Sequence, residues 1–281
     1  MAGAASSACA ASGPRSDHGV SSAVRITWLG HATVLVEMDG LRLLTDPLLG
    51  AGLGPLRRLG PTPDPDAIGD IDAILVSHAH PDHFDLDSLR RVNGEPLVIV
   101  PGGLGQAARR SGLSVREVAS GEVFDLHPRE RARTHANPIR VTVVHARHWR
   151  WPLQPRARCI GYLIEGTLGI YFAGDTALFP RMDRIAGRVA IALLPVGRWG
   201  PHRGPDRLTP ASAVEAMRRV GAQAAIPIHW GTLHPPGMPP GSWASPAADA
   251  GARFATAGAA LGLGLDIRVL RPGEATDFDT P

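Results

Sequence analysis

The sequence predicts a mixed α/β domain in which two β-sheets are stacked between outer layers of helices. Two observations carry that prediction. Short runs rich in Val, Ile and Leu recur from residue 24 almost to the end, each bounded by Gly, Pro or Asp. Between them stand stretches with helical patterning, and the alternation shows neither an internal repeat nor a dividing linker. At 281 residues and 44% hydrophobic side chains the chain can bury a full core. One domain over residues 23–275 is expected, behind a disordered tail over 1–22 that is small and polar.

"VRITWL", "ATVLVEM" and "LRLLTD" read as the first strands, with Asp39-Gly40 as a hairpin turn. Residues 50–70 are rich in Gly and Pro and read as a long loop. "DAILVS" reads as a buried strand, "DLDSLRRV" as a short helix, "PLVIV" as a strand, and "GQAARR" as helical. In the second half "IRVTVVHA", "CIGYLIEG", "LGIYFAG", "VAIALLPV" and "AQAAIPI" are strand candidates, and "LDIRVL" closes the series. Thr209-Pro210 before "ASAVEAMRRV" supplies a capping hydroxyl and a Pro at the first helical position. A last helix is expected in "SPAADAGARFATAGAALG".

Composition excludes more than it assigns. The net charge is +3 and all basic residues are Arg, in scattered pairs such as Arg57-Arg58 and Arg109-Arg110. That pattern suits a solvated surface and gives no footprint for nucleic acid. No apolar run approaches the ~18 residues of a membrane span. Cys9 and Cys159 form no paired motif, so a reducing, cytoplasmic setting is expected. A homo-oligomer is left open.

The chemistry is concentrated in "SHAHPDHFD", residues 77–85, at the end of a strand. A turn there needs only Pro81 and Asp82. In extended chain His78 and His80 point the same way and can share a metal ion, while Pro81 redirects the chain and presents Asp82 and His83 nearby. Imidazole and carboxylate suit Zn²⁺. Two such ions would need further ligands, and the second half offers them at strand ends. Asp175 follows Gly174 in "YFAGDT" and either bridges two ions or caps the next helix. His229 ends "AAIPIH", and "VVHARHW" offers His145 or His148. Asp46 in "LLTDP" either orients a metal-bound histidine or forms a turn before Pro47. His31 in "LGHAT" reads as structural in a tight connection, and His202 and His234 as loop surface.

These motifs, with "WLGHATVLVEMDGLRLLTDP", "ARHW", "YFAGDT" and "IPIHWGT", resemble the metallo-β-lactamase superfamily from about residue 24 to 271. They look most like the branch of ascorbate-6-phosphate lactonase-like hydrolases and N-acylphosphatidylethanolamine-hydrolysing phospholipase D. The resemblance implies an αββα sandwich and two Zn²⁺ ions, with Mn²⁺ or Fe²⁺ as substitutes. It gives His78, His80 and His148 to the first ion and Asp82, His83 and His229 to the second. Asp175 and a hydroxide then lie between them, with Asp82 also orienting the hydroxide. His145 is left to the pocket or to structure. The implied activity is hydrolysis of a small ester, lactone or phosphodiester. The chain departs from the branch at Arg207, where a His commonly precedes the helix, and this points to an anionic substrate. Two other readings belong to the same fold. Di-iron redox members typically carry Glu at the position of His80, and a scaffold could keep zinc without catalysis.

Overall fold

The computed structural model describes residues 24–128, 137–197, 206–237 and 249–279. The expected tail and His202 lie outside these. Strands β1 (Val24–Gly30), β2 (Thr33–Met38) and β3 (Leu41–Thr45) form an antiparallel meander. The Gly/Pro-rich stretch after them is not structureless, as expected from its composition. It carries β4 (Gly52–Leu53), β5 (Leu56–Arg58) and the one-turn helix α1 (Pro65–Ile68), capped by Asp64. There follow β6 (Ala73–Leu75), α2 (Leu86–Arg91), β7 (Leu97–Pro101), α3 (Gly105–Ala108), β8 (Val115–Val118) and β9 (Val123–Leu126). The second half contains β10 (Ile139–His145), β11 (Ile160–Glu165), β12 (Gly169–Phe172), β13 (Ile191–Pro195) and α4 (Pro210–Val220). It ends with β14 (Ala224–Ile228), β15 (Leu233–His234), α5 (Ala250–Ala259), β16 (Asp266–Ile267) and β17 (Glu274–Phe278).

Most strands build two seven-stranded sheets, in the orders β17-β1-β2-β3-β6-β7-β8 and β16-β14-β13-β12-β11-β10-β9, and β15-β5-β4 form a small third one. Each large sheet is antiparallel on one side and parallel on the other, changing at β3–β6 and at β12–β13. Buried side chains of both sheets, among them Val34, Leu43, Val141, Tyr162 and Leu193, make the interior between them. Outside the first sheet, α1, α2 and α3 contribute Ile68, Leu89 and Ala108 to a second apolar layer. Outside the other sheet, α4 and α5 contribute Val214, Met217 and Phe254 to a third. The expected sandwich is therefore present.

The series of strands does not close at "LDIRVL". Only Asp266–Ile267 is strand there, and β17 follows, pairing with β1 from Val24↔Phe278 to Trp28↔Glu274. That strand runs past the expected domain limit at 275. Its sequence, EATDF, is polar because most of it faces outward, with only Phe278 buried. It borrows its place from β1. β8 and β9 escape sequence reading for the same reason, each being half exposed.

Candidate metal centre

Parallel strands leave their carboxyl ends at one edge of a sheet, where connecting loops can converge. Here the ends of β3, β6, β12 and β14 do so, together with the β1–β2 turn, the chain after β10 and the entry to α4. Six side chains come from loops of the first sheet: His31, Asp46, His78, His80, Asp82 and His83. Four come from loops of the second: His148, Asp175, Arg207 and His229. Backbone bonds hold the edges together. His31 O accepts from His229 N at 2.7 Å and from Trp28 Nε1 at 2.9 Å, and Ser77 O accepts from Ile160 N at 3.0 Å. Gly174, at φ +57°, lets the two sheets approach, since a Cβ there would stand 2.5 Å from Ser77 Cβ.

Ligand-type atoms gather in three overlapping groups: His78, His80 and His148; His31, Asp82, His83 and His229; and Asp46, His78 and His83. Within each group they lie within 4.8 Å of one another. His80 Nδ1 is 2.8 Å from His78 Nε2 and 3.3 Å from His148 Nε2. His229 Nε2 is 3.0 Å from His83 Nε2 and 3.3 Å from Asp82 Oδ2. Asp175 spans both groups, with Oδ2 3.6 Å from His148 Nε2 and Oδ1 3.4 Å from His229 Nε2.

Surrounding groups fix these rings. His83 Nδ1 donates to Asp46 Oδ2 at 2.7 Å, so its Nε2 faces the cluster. Asp46 is held in turn by Ser77, whose N–H and hydroxyl both donate to it. His148 Nδ1 donates to the Asp206 carbonyl at 2.8 Å, which aims its Nε2 inward. His31 Nε2 lies 2.8 Å from Asp82 Oδ2. Sequence reading favoured a structural role for His31 and left Asp46 open between orienting and turning. The structure puts His31 in direct contact with the cluster and Asp46 in a hydrogen bond to the His83 ring. It moves His145 away. That residue is exposed at the end of β10, its ring edge-on to Phe179 at 5.3 Å. It is the last residue of the strand, paired with Ile160 at the exposed tip of β10, whereas His148 comes after the chain has left the sheet. His234, expected at a loop surface, is half-buried and lies in β15, which pairs with β5. Ser77 and the aromatic wall of Trp149 and Trp151, 4.2 and 5.7 Å from the His80 ring, were not singled out. The Trp spacing in "HWRW" was the available signal.

The site is costly as it stands. Of the five non-Gly residues at positive φ among the described residues, three are here: His31, Asp46 and His229. Such strain is retained where surrounding structure enforces it. His80 Nε2, Asp175 Oδ2, His229 Nδ1 and Arg207 Nη1 are buried without a hydrogen-bond partner. Each such atom costs roughly 1–3 kcal/mol. Burial lowers the pKa of His31 and His80 to about 3 and depresses His78 and His148 as well, which keeps imidazole lone pairs free. Burial opposes a charge on His83 too, but Asp82, Asp175 and Asp46 outweigh it and raise its pKa. Asp82 and Asp175 stay ionised, their burial overcome chiefly by His83 and by His229 respectively. Two ionised carboxylates thus favour positive charge beside the free nitrogens of His31, His78, His80 and His148. This donor set, with its orphaned atoms, fits divalent cations of borderline character.

A buried His/Asp cluster able to hold metal ions thus lies across the edges of two sandwiched sheets. The Beta-lactamase superfamily domain matches residues 41–230, and the chain belongs to that superfamily. It is 32% identical over 267 residues to a metal-dependent hydrolase of Carboxydothermus hydrogenoformans, covering 89% of this chain and 98% of that one. It is 30% identical over 232 residues to N-acyl-phosphatidylethanolamine-hydrolyzing phospholipase D 1 of Caenorhabditis elegans. That match takes in 73% of this chain and 63% of the relative, so the chain spans less than two thirds of its length. Among solved structures it is similar in fold to CmlA, a diiron β-hydroxylase of Streptomyces venezuelae, with a TM-score of 0.64 and 20% identity. The match covers 93% of this chain and 55% of that one.

Proposed function

We propose that this protein is a hydrolase that holds a pair of divalent cations, zinc foremost, and cleaves a small ester, lactone or phosphodiester. The observation that carries the reading is the convergence of His78, His80 and His148 beside Asp82, His83 and His229, with Asp175 reaching both sets. The first three would hold one cation and the second three the other. Bound there, such a pair supplies Lewis acidity and a water acidified towards neutral pH.

The chain's own residues do the rest. Asp82, ionised and wedged between His31 and His229, accepts a hydrogen bond from the attacking water and orients it. Its depressed pKa makes it an aligning acceptor and a poor store for the proton. Asp46 and the Asp206 carbonyl keep His83 and His148 in their inward tautomers. Trp149 and Trp151 shield the His80 side from solvent. In the reaction, water oxygen bonds to the acyl carbon or phosphorus, the ester C–O or P–O bond breaks, and the leaving oxygen takes the proton that the attacking water gives up. The relative named for N-acyl-phosphatidylethanolamine hydrolysis supports the phosphodiester member of this set.

No helix among the described residues is long and apolar enough to cross a membrane. The buried free thiol of Cys159 suits the reducing, cytoplasmic setting proposed for the reaction. Metal analysis of purified protein, with a panel of aryl ester, lactone and phosphodiester assayed before and after chelation, tests the reading. Turnover lost to chelator and restored by Zn²⁺ is expected. Chelator-insensitive turnover, or folded protein that takes up no metal, would contradict it, and iron with visible absorption would favour the redox alternative.

A further inference from the structure

Among the described residues, Arg58 is buried and Arg207 is largely covered, in contrasting settings. Arg58 is closed on every side: its Nε donates to Gly50 O at 2.9 Å, one terminal nitrogen to Leu29 O, and the other to Leu48 O. That is a structural arginine with its donors spent on backbone. Arg207 is 11% exposed at the side chain, yet its Nη1 is buried with no partner. Its nearest acid, Asp175 Oδ2, is 3.9 Å from Nε, beyond hydrogen-bond range, and that oxygen is itself unpartnered. The two charges face each other without closing.

The backbone leaves Arg207 little freedom to be elsewhere. On one side, the Asp206 carbonyl accepts from His148 Nδ1. On the other, Leu208 is fully buried and its N–H donates to Thr176 O at 2.9 Å. Thr176 in turn accepts from Arg147 N and so ties in the loop that carries His148. Thr209 then caps α4 in a capping box with Ser212. The guanidinium is therefore anchored beside the His148–Asp175 edge of the cluster. It is a planar fork that is always charged and has donors only. Oxyanions match such a fork two bonds at a time.

We infer that Arg207 is a specificity-determining residue that binds an oxyanion of the substrate, a phosphoryl or carboxylate oxygen, at the Asp175 edge of the cluster. This rests on the hydrolase reading only in placing the substrate at that cluster. It narrows the substrate class to anionic esters and phosphoesters over neutral lactones.

The test uses the metal-loaded protein and its R207Q and R207K variants, titrated calorimetrically with inorganic phosphate and separately with acetate. Metal content is measured on the same samples, and kcat/KM is compared for an anionic phosphodiester and a neutral aryl ester. The expected result is about tenfold weaker binding of at least one anion by R207Q, with metal content equal to wild type. R207K, which keeps the charge and loses the fork, should fall between. The anionic-to-neutral kcat/KM ratio should drop in parallel. Which anion responds separates a phosphoryl from a carboxylate ligand. Unchanged affinity in R207Q, no anion binding by wild type, or a loss of metal alongside any loss of affinity would overturn the inference, the last making Arg207 a prop for Asp175. Anion binding that depends on Arg207 without turnover of any ester would instead sink the hydrolase reading and spare this one.

Discussion

The two halves of the cluster differ in how the chain supplies them. The first sheet gives His78, His80, Asp82 and His83 within six positions of one loop, with Asp46 and Ser77 bonded directly behind them. The second sheet gives His148, Asp175 and His229 from three separate strand ends. A local motif needs only one turn to be correct. The dispersed half needs β10, β12 and β14 to be stacked in register, as the sheet order places them. Two of the three groups of ligand-type atoms mix the halves: His148 joins His78 and His80, and His229 joins His31, Asp82 and His83, while Asp46, His78 and His83 all come from the first sheet. Cations in the two mixed groups would staple one sheet to the other.

That mixture can be broken in graded steps. The largest effect is expected from His80→Ala and from His148→Ala alike, each abolishing turnover and lowering metal content, because the two sheets each supply a ligand to the same group. Residual activity in one variant alone would show that the halves are not equivalent. Chelation should cost stability next. Cations present at about a thousandfold over their Kd contribute about 4 kcal/mol, so the melting temperature should fall by roughly 10 °C in calorimetry. Asp46→Asn keeps the shape and removes the charge behind His83. A 10–100-fold loss in metal affinity is expected, read by competition with a chromophoric chelator.

The same contrast explains what the sequence reveals. "SHAHPDHFD" carries its meaning in spacing alone, and the strands of the interior declare themselves by unbroken apolar runs such as "IALLP". His148 could be preferred to His145 only by resemblance, since both stand near one strand end and the deciding fact is where the chain leaves the sheet. The role of His31 was hidden because its partner, Asp82, is 51 residues away and meets it only after both turns form. β17 was hidden because an outward-facing strand has no reason to be apolar.

Smaller changes sharpen the picture. Gly174→Ala should destabilise by about 1–3 kcal/mol, since φ +57° and the close Ser77 side chain both resist a Cβ; denaturant unfolding measures it, and metal affinity should weaken alongside. His145→Ala should change stability by no more than about 0.5 kcal/mol and leave metal content unaltered. A loss of metal in that variant would return His145 to the site.

Anomalous X-ray scattering from crystals of the metal-loaded protein tests the central claim most directly. Two peaks are expected, one among His78, His80 and His148 and the other among Asp82, His83 and His229, with Asp175 between them. A single peak held by the 78–83 loop alone, or none at this edge of the sandwich, would contradict a centre shared between the two sheets.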